Sequence, residues 1–396
     1  MNVHVRLGDV VDVASGQVDP RREPFCDLPH VGGDNIQTDT GELYGLRTAR
    51  ELNLISGKYE FGELDVLYSK IRPALNKVAV PDFAGICSAD MYPLRPRPGR
   101  LDRRYLARLL RHKDFLEFAQ RHSSRTNIPK INREALLAYE FALPALQEQR
   151  RIADILDKAD AIRRKRKEAI ALTEELLRSA FLEMFGDPVT NPKGWPVTAL
   201  GEAIDRLEAG WSANGELRQL GDGEFGVLKV SAVSTGYFQP SEHKAVKPEE
   251  LDRELVVPRR GDLLFSRANT RELVAACCLV ERDETRLFLP DKLWRVLPHA
   301  NVATREFLKF LIENPGVRYA LTKMATGTSG SMLNISMEKL RSIPVPLPPL
   351  KLQAAFTSLV WANLTLRRSQ LTASAESESL AGSLTARAFR GELKAS

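Results

Sequence analysis

Apolar residues recur every three or four positions between Leu146 and Pro188, which is the spacing of one face of an α-helix. No Gly or Pro occurs from Gln147 to Phe185, and Gly186-Asp187-Pro188 supplies a stop signal. The pattern predicts one helix of roughly 58 Å, longer than one globular domain usually needs for its own packing. The main apolar row is Ile152, Ile155, Ala159, Ile162, Ala169, Leu176 and Ala180, and a second row of Leu156, Ile170, Leu177, Met184 and Phe185 widens it.

A second helix is predicted after Leu350, and its apolar face provides a partner for the first. Its three- and four-residue steps run through Phe356, Leu359, Asn363, Leu366, Gln370, Ala373, Leu380, Leu384 and Ala388. In an antiparallel pair we expect contacts from Ile152, Ile155, Ala159, Ile162 and Leu176 on the first helix and from Phe356, Leu359, Leu366 and Leu384 on the second. Asn363 and Gln370 are polar, so they either set the register of the pair or face outward.

The regions before the two helices resemble each other. Asp65–Lys70 (DVLYSK) matches Asp262–Arg267 (DLLFSR), and a helical stretch follows each at a similar distance. The segments that lead from each domain into its long helix also align without a gap, Ile131–Gln149 on Ile335–Gln353. The C-terminal ends of the two helices match with an offset of four residues. We therefore predict an α+β fold with an internal pseudo-two-fold repeat, in which two similar domains are separated by two long antiparallel helices. The predicted segments are a first domain (1–145), a central helix (146–188), a second domain (189–347) and a C-terminal helix (348–396).

Composition fits a globular protein with two domains. The chain has 396 residues, 43% of them hydrophobic and 27% charged, with a net charge of +6. The charge is uneven, since Arg95 to Arg133 contains twelve Lys or Arg against three Asp or Glu. A basic region of this kind suits phosphate groups, although a solvated basic helix face is about as common.

The cysteines and the N-terminal sequence indicate the compartment. Cys26, Cys87, Cys277 and Cys278 form no C-x-x-C pair and have no His at zinc-ligand spacing, so we expect reduced core residues. The first residues lack an apolar signal core, and no run approaches eighteen apolar residues. We expect a soluble cytoplasmic protein that has no contact with a membrane.

No familiar catalytic motif occurs in the sequence. The chain has no phosphate-binding P-loop, no dinucleotide-binding Gly motif, no H-E-x-x-H and no G-x-S-x-G. Ala325–Ser331 (ATGTSGS) lacks a following Lys, and a flexible turn explains it better than a nucleotide cradle. Glu281 with Asp291 and Lys292 could form a metal nuclease site, but such a set arises easily by chance. The sequence favours a non-catalytic chain.

Basic and amide side chains follow the two equivalent strands, where loops begin. Lys70, Arg72 and Lys77 lie in the first half and Arg267, Asn269 and Arg271 in the second, and Arg125 and Lys130 are further basic candidates. Arg, Lys and Asn read base edges in the major groove, and recognition residues often lie on loops. Each residue alone could equally belong to a solvated loop; their paired placement favours DNA binding. For the run Arg163–Lys167 (RRKRK), a solvated face or a protein contact is the better explanation.

Several phrases resemble the specificity (S) subunits of Type I restriction-modification enzymes, and the resemblance extends over nearly the whole chain. The phrases, in an order that is itself specific, are Tyr68–Pro73 (YSKIRP), Leu143–Ile152 (LPALQEQRRI), Ile155–Asp160 (ILDKAD), Met184–Pro188 (MFGDP), Asn191–Trp195 (NPKGW), Gly261–Arg267 (GDLLFSR) and Gly327–Ser336 (GTSGSMLNIS).

The resemblance implies two target recognition domains, each reading one half of a split, asymmetric site on double-stranded DNA, with the helices as a ruler for the gap. It also implies two modification subunits, which bind S-adenosylmethionine and methylate adenine, and two restriction subunits that use ATP with magnesium. On this interpretation the chain itself binds no cofactor and no metal and has no catalytic residue.

Two other classes of function stay open at this stage. One is a self-contained nuclease or methyltransferase with an unrecognised active site, for which Glu281, Asp291 and Lys292 are the candidates. The other is a protein scaffold whose basic loops are merely solvated. A scaffold would show DNA affinity that hardly changes with salt, whereas phosphate contacts give a steep loss.

Overall fold

The chain divides into two compact units that each take a part of both long helices. A computed structural model describes residues 3–124, 127–327 and 332–393. The first unit consists of residues 1–166 and 373–396, and the second of residues 167–372. The four-segment division drawn from the sequence follows function rather than contacts, and it stays a prediction.

The first unit is an α+β domain followed by the beginning of a long helix. Its strands are β1 (Val3–Arg6), β2 (Val11–Val13), β3 (Pro29–Val31), β4 (Arg47–Thr48), β5 (Tyr59–Phe61), β6 (Val66–Ser69), β7 (Val78–Ala79), β8 (Gly85–Cys87), β9 (Met91–Pro96) and β10 (Glu140–Leu143). Its helices are α1 (Arg103–Arg111), α2 (Lys113–Arg121), α3 (Arg133–Leu137) and the first part of α4 (Leu146–Phe185). Two four-stranded sheets have the orders β2-β9-β6-β7 and β4-β3-β8-β5, and β1 pairs with β10.

The second unit has the same plan. Its strands are β11 (Val197–Ala199), β12 (Ile204–Ala209), β13 (Phe225–Leu228), β14 (His243–Val246), β15 (Leu263–Ser266), β16 (Ala268–Asn269), β17 (Cys277–Leu279), β18 (Leu287–Phe288), β19 (Leu293–Pro298), β20 (Leu333–Asn334) and β21 (Pro344–Pro346). Its helices are α5 (Arg305–Glu313), α6 (Pro315–Met324), α7 (Met337–Ser342) and the first part of α8 (Leu350–Phe389). The sheet β12-β19-β15-β17 corresponds to β2-β9-β6-β7, and β11 pairs with β21 as β1 does with β10.

The predicted α+β class and internal repeat are therefore confirmed at the level of topology. Each domain has an antiparallel sheet whose middle strand, β6 or β15, is buried along its whole length. Each also has a parallel strand pair, β3 with β8 and β13 with β18. The amphipathic helix after the last sheet strand covers this sheet with large apolar residues such as Tyr105 and Phe307.

A buried glutamine joins each domain to its long helix. Gln149 is fully buried; its Oε1 accepts from the backbone N–H of Asp102 at 2.8 Å, and its Nε2 donates to the carbonyls of Arg100 and Pro144 at 2.9 and 2.8 Å. Asp102 is the N-cap of α1, so one side chain ties the start of α4 to the start of the helix that covers the sheet.

The second domain repeats this joint with different neighbours. Gln353 is also fully buried, and its Oε1 accepts from the backbone N–H of Thr304, the N-cap of α5, at 2.9 Å. Its Nε2 donates to the carbonyls of Val302 and Pro348 at 3.1 and 2.8 Å. The shared exit seen in the sequence therefore has a structural cause, because the two glutamines satisfy equivalent buried backbone groups.

The two long helices run antiparallel within each unit. In the first unit, the Arg166 guanidinium donates to the Ala373 carbonyl and the Ser377 hydroxyl, while Arg151 nearer the start of α4 donates to the Leu393 carbonyl at 2.7 Å. In the second unit, Phe356 packs against Phe181 and Phe185 with ring centroids 5.6 and 5.4 Å apart.

Polar residues lie on the seam of the second unit, as one of the two interpretations predicts. Asn363 is buried and its Nδ2 donates to the Thr173 carbonyl at 2.8 Å. The Gln370 amide bonds the Thr173 hydroxyl at 3.2 Å, and Arg367 pairs with Glu174 at 3.1 Å. These directional contacts require one register, since a shift of the helices would leave buried polar groups without partners.

Part of the predicted helix packing is wrong. Ile152 and Phe356 are buried, and Ile155, Ala159 and Leu384 are partly buried, but Ile162, Leu176, Leu359 and Leu366 are 48–63% exposed. The observed seam uses the neighbouring positions Leu177, Val360 and Leu364 instead. The apolar stripe is wider than one seam, and periodicity alone did not distinguish its buried centre from its exposed edge.

The predicted four-residue offset at the helix ends is also wrong. Both helices are 40 residues long, and one shift of 204 residues places Leu146 on Leu350 and Phe185 on Phe389. The Gln149–Gln353 correspondence has the same shift. The two similar phrases that suggested an offset each end in Ala-Phe. When the helices are aligned by the 204-residue shift, these phrases lie one helical turn apart.

Burial of the cysteines agrees with the expected core role. All four are buried and none forms a disulfide. Burial raises the pKa of the Cys87 thiol to about 12, which keeps it protonated at neutral pH. None of the helices in the ranges given above combines the length and the apolar character needed to cross a membrane.

We predict that Gln149→Ala lowers the free energy of unfolding by about 3 kcal/mol, because it leaves the Asp102 N–H and two carbonyls buried without partners. Gln353→Ala should have a similar effect in the second unit. Urea denaturation, followed in each unit separately, measures the loss of unfolding free energy. Gln147→Ala, on the exposed side of the same turn, is the matched control and should change stability little. Equal stability of Gln149→Ala and this control would contradict the proposed joint.

Candidate nucleic-acid interface

Lys70, at the end of β6, is held in place by the fold. Its backbone carbonyl accepts from the N–H of Ile131 at 3.0 Å. Its Nζ donates to the Ala89 carbonyl at 2.6 Å and lies 5.4 Å from the centroid of the Tyr92 ring. The half-buried side chain is therefore not a freely solvated loop residue; a carbonyl and an aromatic face both stabilise its charge.

Arg267 occupies the equivalent position at the end of β15. Its Nε donates to the Asp291 carbonyl at 2.9 Å, and its guanidinium lies 5.8 Å from the centroid of the Trp294 ring. Its backbone carbonyl accepts from Ile335 at 2.8 Å, as that of Lys70 does from Ile131. Both domains thus place one cation at the same strand end, over an aromatic ring of the neighbouring strand.

The sequence indicated the two cations but not the rings beneath them. Tyr92 pairs with Tyr68 across the sheet, and Trp294 pairs with Phe265, so the rings occupy equivalent positions on β9 and β19. A repeated aromatic residue on the last sheet strand was the available signal. Burial raises the pKa of the Tyr92 hydroxyl, so it stays neutral beside Lys70.

Three segments meet around Lys70 and expose further basic side chains. Arg72 is exposed and has a left-handed backbone with φ of 46°, and its N–H donates to the Pro129 carbonyl at 2.7 Å. A β-bridge between Ile71 and Lys130 places the exposed Lys130 beside this loop. Lys77 is half-buried, and its Nζ donates to the Gly33 carbonyl at 2.7 Å. Arg72 and Lys130 are therefore the two accessible cations among these candidates; Arg125 lies outside the described residues.

The second domain brings together equivalent segments with different side chains. Here β16 pairs with β20, which joins the loop after β15 to the segment before α7. Arg271 is exposed in this loop. Asn269, however, is buried, its Nδ2 donates to the Ser234 hydroxyl at 3.4 Å, and its Oδ1 accepts from the Thr270 N–H. The prediction that Asn269 contacts DNA is not supported by this position, because its amide bonds within the fold.

Other aromatic and basic groups near Arg267 escaped the sequence analysis. Trp211 lines the same pocket as Asp291, and the Arg253 guanidinium lies 5.6 Å from the centroid of the Trp211 ring. The Trp211 indole N–H is buried without a protein partner in the structure. A ring with a stacked guanidinium beside the candidate loop is suited to contacting a nucleotide.

The residues considered for a metal nuclease do not converge. Asp291 pairs with Arg267 at 3.7 Å, whereas Glu281 lies in a separate pocket with Arg260 and Arg368. Within residues 3–124, 127–327 and 332–393, no group of three His, Cys, Asp or Glu side chains could hold a metal ion. Of the run Arg163–Lys167, Arg163 and Arg164 pair with Asp160 and Glu42, and Arg166 turns into the helix seam.

Comparison with known proteins gives a family match for the first part of the chain. Residues 2–172 match the model of the Type I restriction modification DNA specificity domain. The match covers less than half of the 396 residues. The match includes the strand end with Lys70 and the joint at Gln149, and it confirms the resemblance noted in the sequence.

Relatives of known function carry the same family name. The chain is 34% identical over 190 residues to the Type I restriction enzyme EcoDI specificity subunit of Escherichia coli, covering 47% of this chain and 42% of that protein. It is 31% identical over 176 residues to the EcoKI specificity subunit of Escherichia coli strain K12, covering 43% and 37%. These alignments thus span less than half the length of either relative.

Solved structures share the fold. The S subunit of a Type I restriction-modification system from M. genitalium has a TM-score of 0.63 at 14% identity, with 98% of this chain and 96% of that chain covered. A chain from a study of complex assembly in the type I R-M system has a TM-score of 0.58 at 22% identity, covering 99% and 98%. The specificity-subunit fold, with its long helices, therefore extends over both halves of the chain.

Proposed function

We propose that this chain is the sequence-specific DNA-binding subunit of a Type I restriction-modification complex and that each domain reads one half of a split site. The observation that carries the proposal is the repeated strand end, with Lys70 and Arg267 held over equivalent aromatic rings. Two similar scaffolds that present basic loops are suited to two separate stretches of DNA.

The half-sites would differ in sequence, because the exposed side chains of the two loops differ. The first loop exposes Arg72 beside Lys130, and the second exposes Arg271. Arg placed against a base edge selects guanine, whereas contacts to phosphate carry no sequence information. Unlike loops on like scaffolds would therefore recognise an asymmetric bipartite site.

The chemistry would be carried out by partner subunits. The relatives are named as specificity subunits, which supports a role in choosing the DNA sequence rather than in methylating or cutting it. S-adenosylmethionine would then bind to two modification subunits, and ATP with magnesium would serve two restriction subunits. Asp291 and Glu281 line different pockets, which supports a non-catalytic role over the nuclease hypothesis based on these residues.

The long helices supply both a spacer and docking positions. A helix of 40 residues is about 60 Å long, and half-sites that face the same side of a duplex lie about 34 Å apart. Large apolar residues are exposed on both helices in each unit. In the first unit they are Ile162 and Leu380, here the first exposed pair. The second unit exposes several, and among them Leu176 and Leu366 are here the second exposed pair.

The two exposed pairs are equivalent under the 204-residue shift, which places Ile162 on Leu366 and Leu176 on Leu380. Equivalent surfaces suit two copies of one partner. The four leucine and isoleucine side chains are at least half exposed, so a protein partner that covers them would bury apolar surface. We assign one modification subunit to each pair.

The test of DNA recognition is selection from random double-stranded DNA by the complex with modification subunits. We expect one split motif. Arg72→Ala should weaken binding to one half-site and Arg271→Ala to the other, each by about 1–3 kcal/mol if a base is contacted. A uniform loss on all sequences, with a shallower salt dependence, would assign the residue to phosphate.

Arg21, exposed and paired with Asp19 outside these loops, provides a control, and Arg21→Ala should leave the motif unchanged. Recovery of no split motif would contradict the proposal.

The competing enzyme hypothesis is tested on the same chain alone, with DNA, magnesium and a labelled methyl donor. Cleavage or methyl transfer by the lone chain would favour that hypothesis.

Docking predicts a change in subunit number. Ile162→Asp with Leu380→Asp should lower the number of bound modification subunits from two to one, because a carboxylate in an apolar contact loses its hydration. Leu176→Asp with Leu366→Asp should remove the other copy. Native mass spectrometry counts the subunits. Leu64→Asp and Leu217→Asp, at exposed sites in the two domains, are the controls; two bound copies in all variants would contradict this assignment.

A further inference from the structure

An ionic ladder links α1 to the first part of α4. Arg104 Nη1 lies 2.8 Å from Asp154 Oδ1 and 3.1 Å from Asp157 Oδ2, and Arg108 Nη2 lies 2.6 Å from Asp157 Oδ1. Arg108 also pairs with Asp160. The two arginines are one turn apart on α1, and the aspartates follow at three-residue spacing on α4, so every rung comes from one face of each helix.

The Arg108 end of the ladder is better protected from solvent than the Arg104 end, where the Arg104 and Asp154 side chains are 42% and 53% exposed. The Arg108 side chain is 17% exposed and the Asp160 side chain 31% exposed. Arg108 bridges two carboxylates, so the guanidinium geometry is fixed from both sides. A networked and partly buried arrangement of this kind restrains orientation more strongly than one exposed pair.

The ladder contacts α4 well beyond the point at which the helix leaves the domain. Gln149 fixes the point at which α4 leaves the domain, and the last rung, Asp160, lies eleven residues further along the helix, about 16 Å away. One fixed point allows a rod to pivot, whereas a second fixed point along the rod sets its direction. The ladder supplies this second point.

The second domain has uncharged hydrogen-bond donors and an aromatic contact at the equivalent joint. The equivalence of the caps Asp102 and Thr304 places Glu306 where the first domain has Arg104, and Phe310 where it has Arg108. Glu306 accepts from the Trp361 indole N–H at 2.7 Å and from the Thr357 hydroxyl at 3.1 Å. Phe310 packs on Phe356 with ring centroids 5.1 Å apart, where the first domain has an ion pair.

We propose that Arg104 and Arg108, through Asp154, Asp157 and Asp160, are positioning residues that set the direction of α4 at the first domain and thereby help to fix the gap between the half-sites. The effect on the gap between the half-sites rests on the proposed function, whereas the effect on the direction of α4 does not. The first joint is held by ion pairs, whereas the second is held by ring packing and by hydrogen bonds from uncharged donors to Glu306. We therefore expect high salt to loosen the first joint more than the second.

The direction is measured by pulsed electron paramagnetic resonance with spin labels on the full chain in its complex. Leu64→Cys with Lys165→Cys reports the first unit, and Leu217→Cys with Leu359→Cys reports the second; all four positions are exposed and the native cysteines are buried. Arg104→Ala with Arg108→Ala should broaden the distance distribution in the first unit only. High salt should broaden the first distribution more than the second.

A charge exchange separates the ladder from a general loss of folding. Arg104→Asp and Arg108→Asp combined with Asp154→Arg, Asp157→Arg and Asp160→Arg rebuild the ladder with reversed sign and should restore the narrow distribution. An unchanged distribution in the alanine variant would overturn the positioning role. Broadening that the exchange fails to restore would also overturn it, since the pairing of charges would then not be the cause.

The gap is measured in the same complexes with DNA whose spacer varies by single base pairs. We expect the alanine variant to lose about tenfold of its preference for the natural gap, equivalent to about 1.4 kcal/mol, with the bases of both half-sites unchanged. An unchanged gap preference alongside a broadened distribution would overturn the link to the gap. A wild-type complex that selects no split motif would overturn the proposed function, while the resonance measurement would still decide the role of the ladder.

Discussion

Each domain depends on one buried amide. Gln149 and Gln353 each accept from the backbone N–H of the N-cap residue of the helix that covers the sheet and donate to two backbone carbonyls, and both glutamines are fully buried. Loss of such a bond leaves several buried polar groups without partners, which costs more than the bond contributes. The remaining contacts of the joint can therefore differ between the halves, from arginine–aspartate pairs in one to phenylalanine packing in the other.

The proposed pair of DNA specificities would fit this arrangement, in which a common scaffold carries different loops. The sheet order, the strand-end cation and the ring beneath it are common to both domains. The exposed loop residues are not, since Arg72 and Lys130 have no like-for-like counterparts around Arg271. A rigid core with variable loops allows recognition to change without a loss of stability, because loop side chains contribute little to the core.

The sequence was sufficient for the helices, the repeat and the family, because each rests on patterns of many residues. It was insufficient where one side chain must be placed. Leu176 and Leu177 are equally apolar, yet only Leu177 is buried, since a stripe that serves both a seam and an exposed face has no marked edge. Asn269 has a side chain of the kind that reads DNA bases, but its amide group forms hydrogen bonds within the fold instead. The tethering of Lys70 depends on strand pairing that no short motif encodes.

The proposed function requires the helix pair to hold two DNA-reading domains at a set distance. It is tested most directly by inserting seven residues into both helices at the equivalent positions Ala169 and Ala373, which preserves the phase of the seam. The insertion lengthens each helix by about 10 Å, on the order of three base pairs of duplex. The methylation pattern of a host that carries the altered chain should show both half-site sequences unchanged and a longer gap between them. Unchanged half-sites at the original gap would contradict the account.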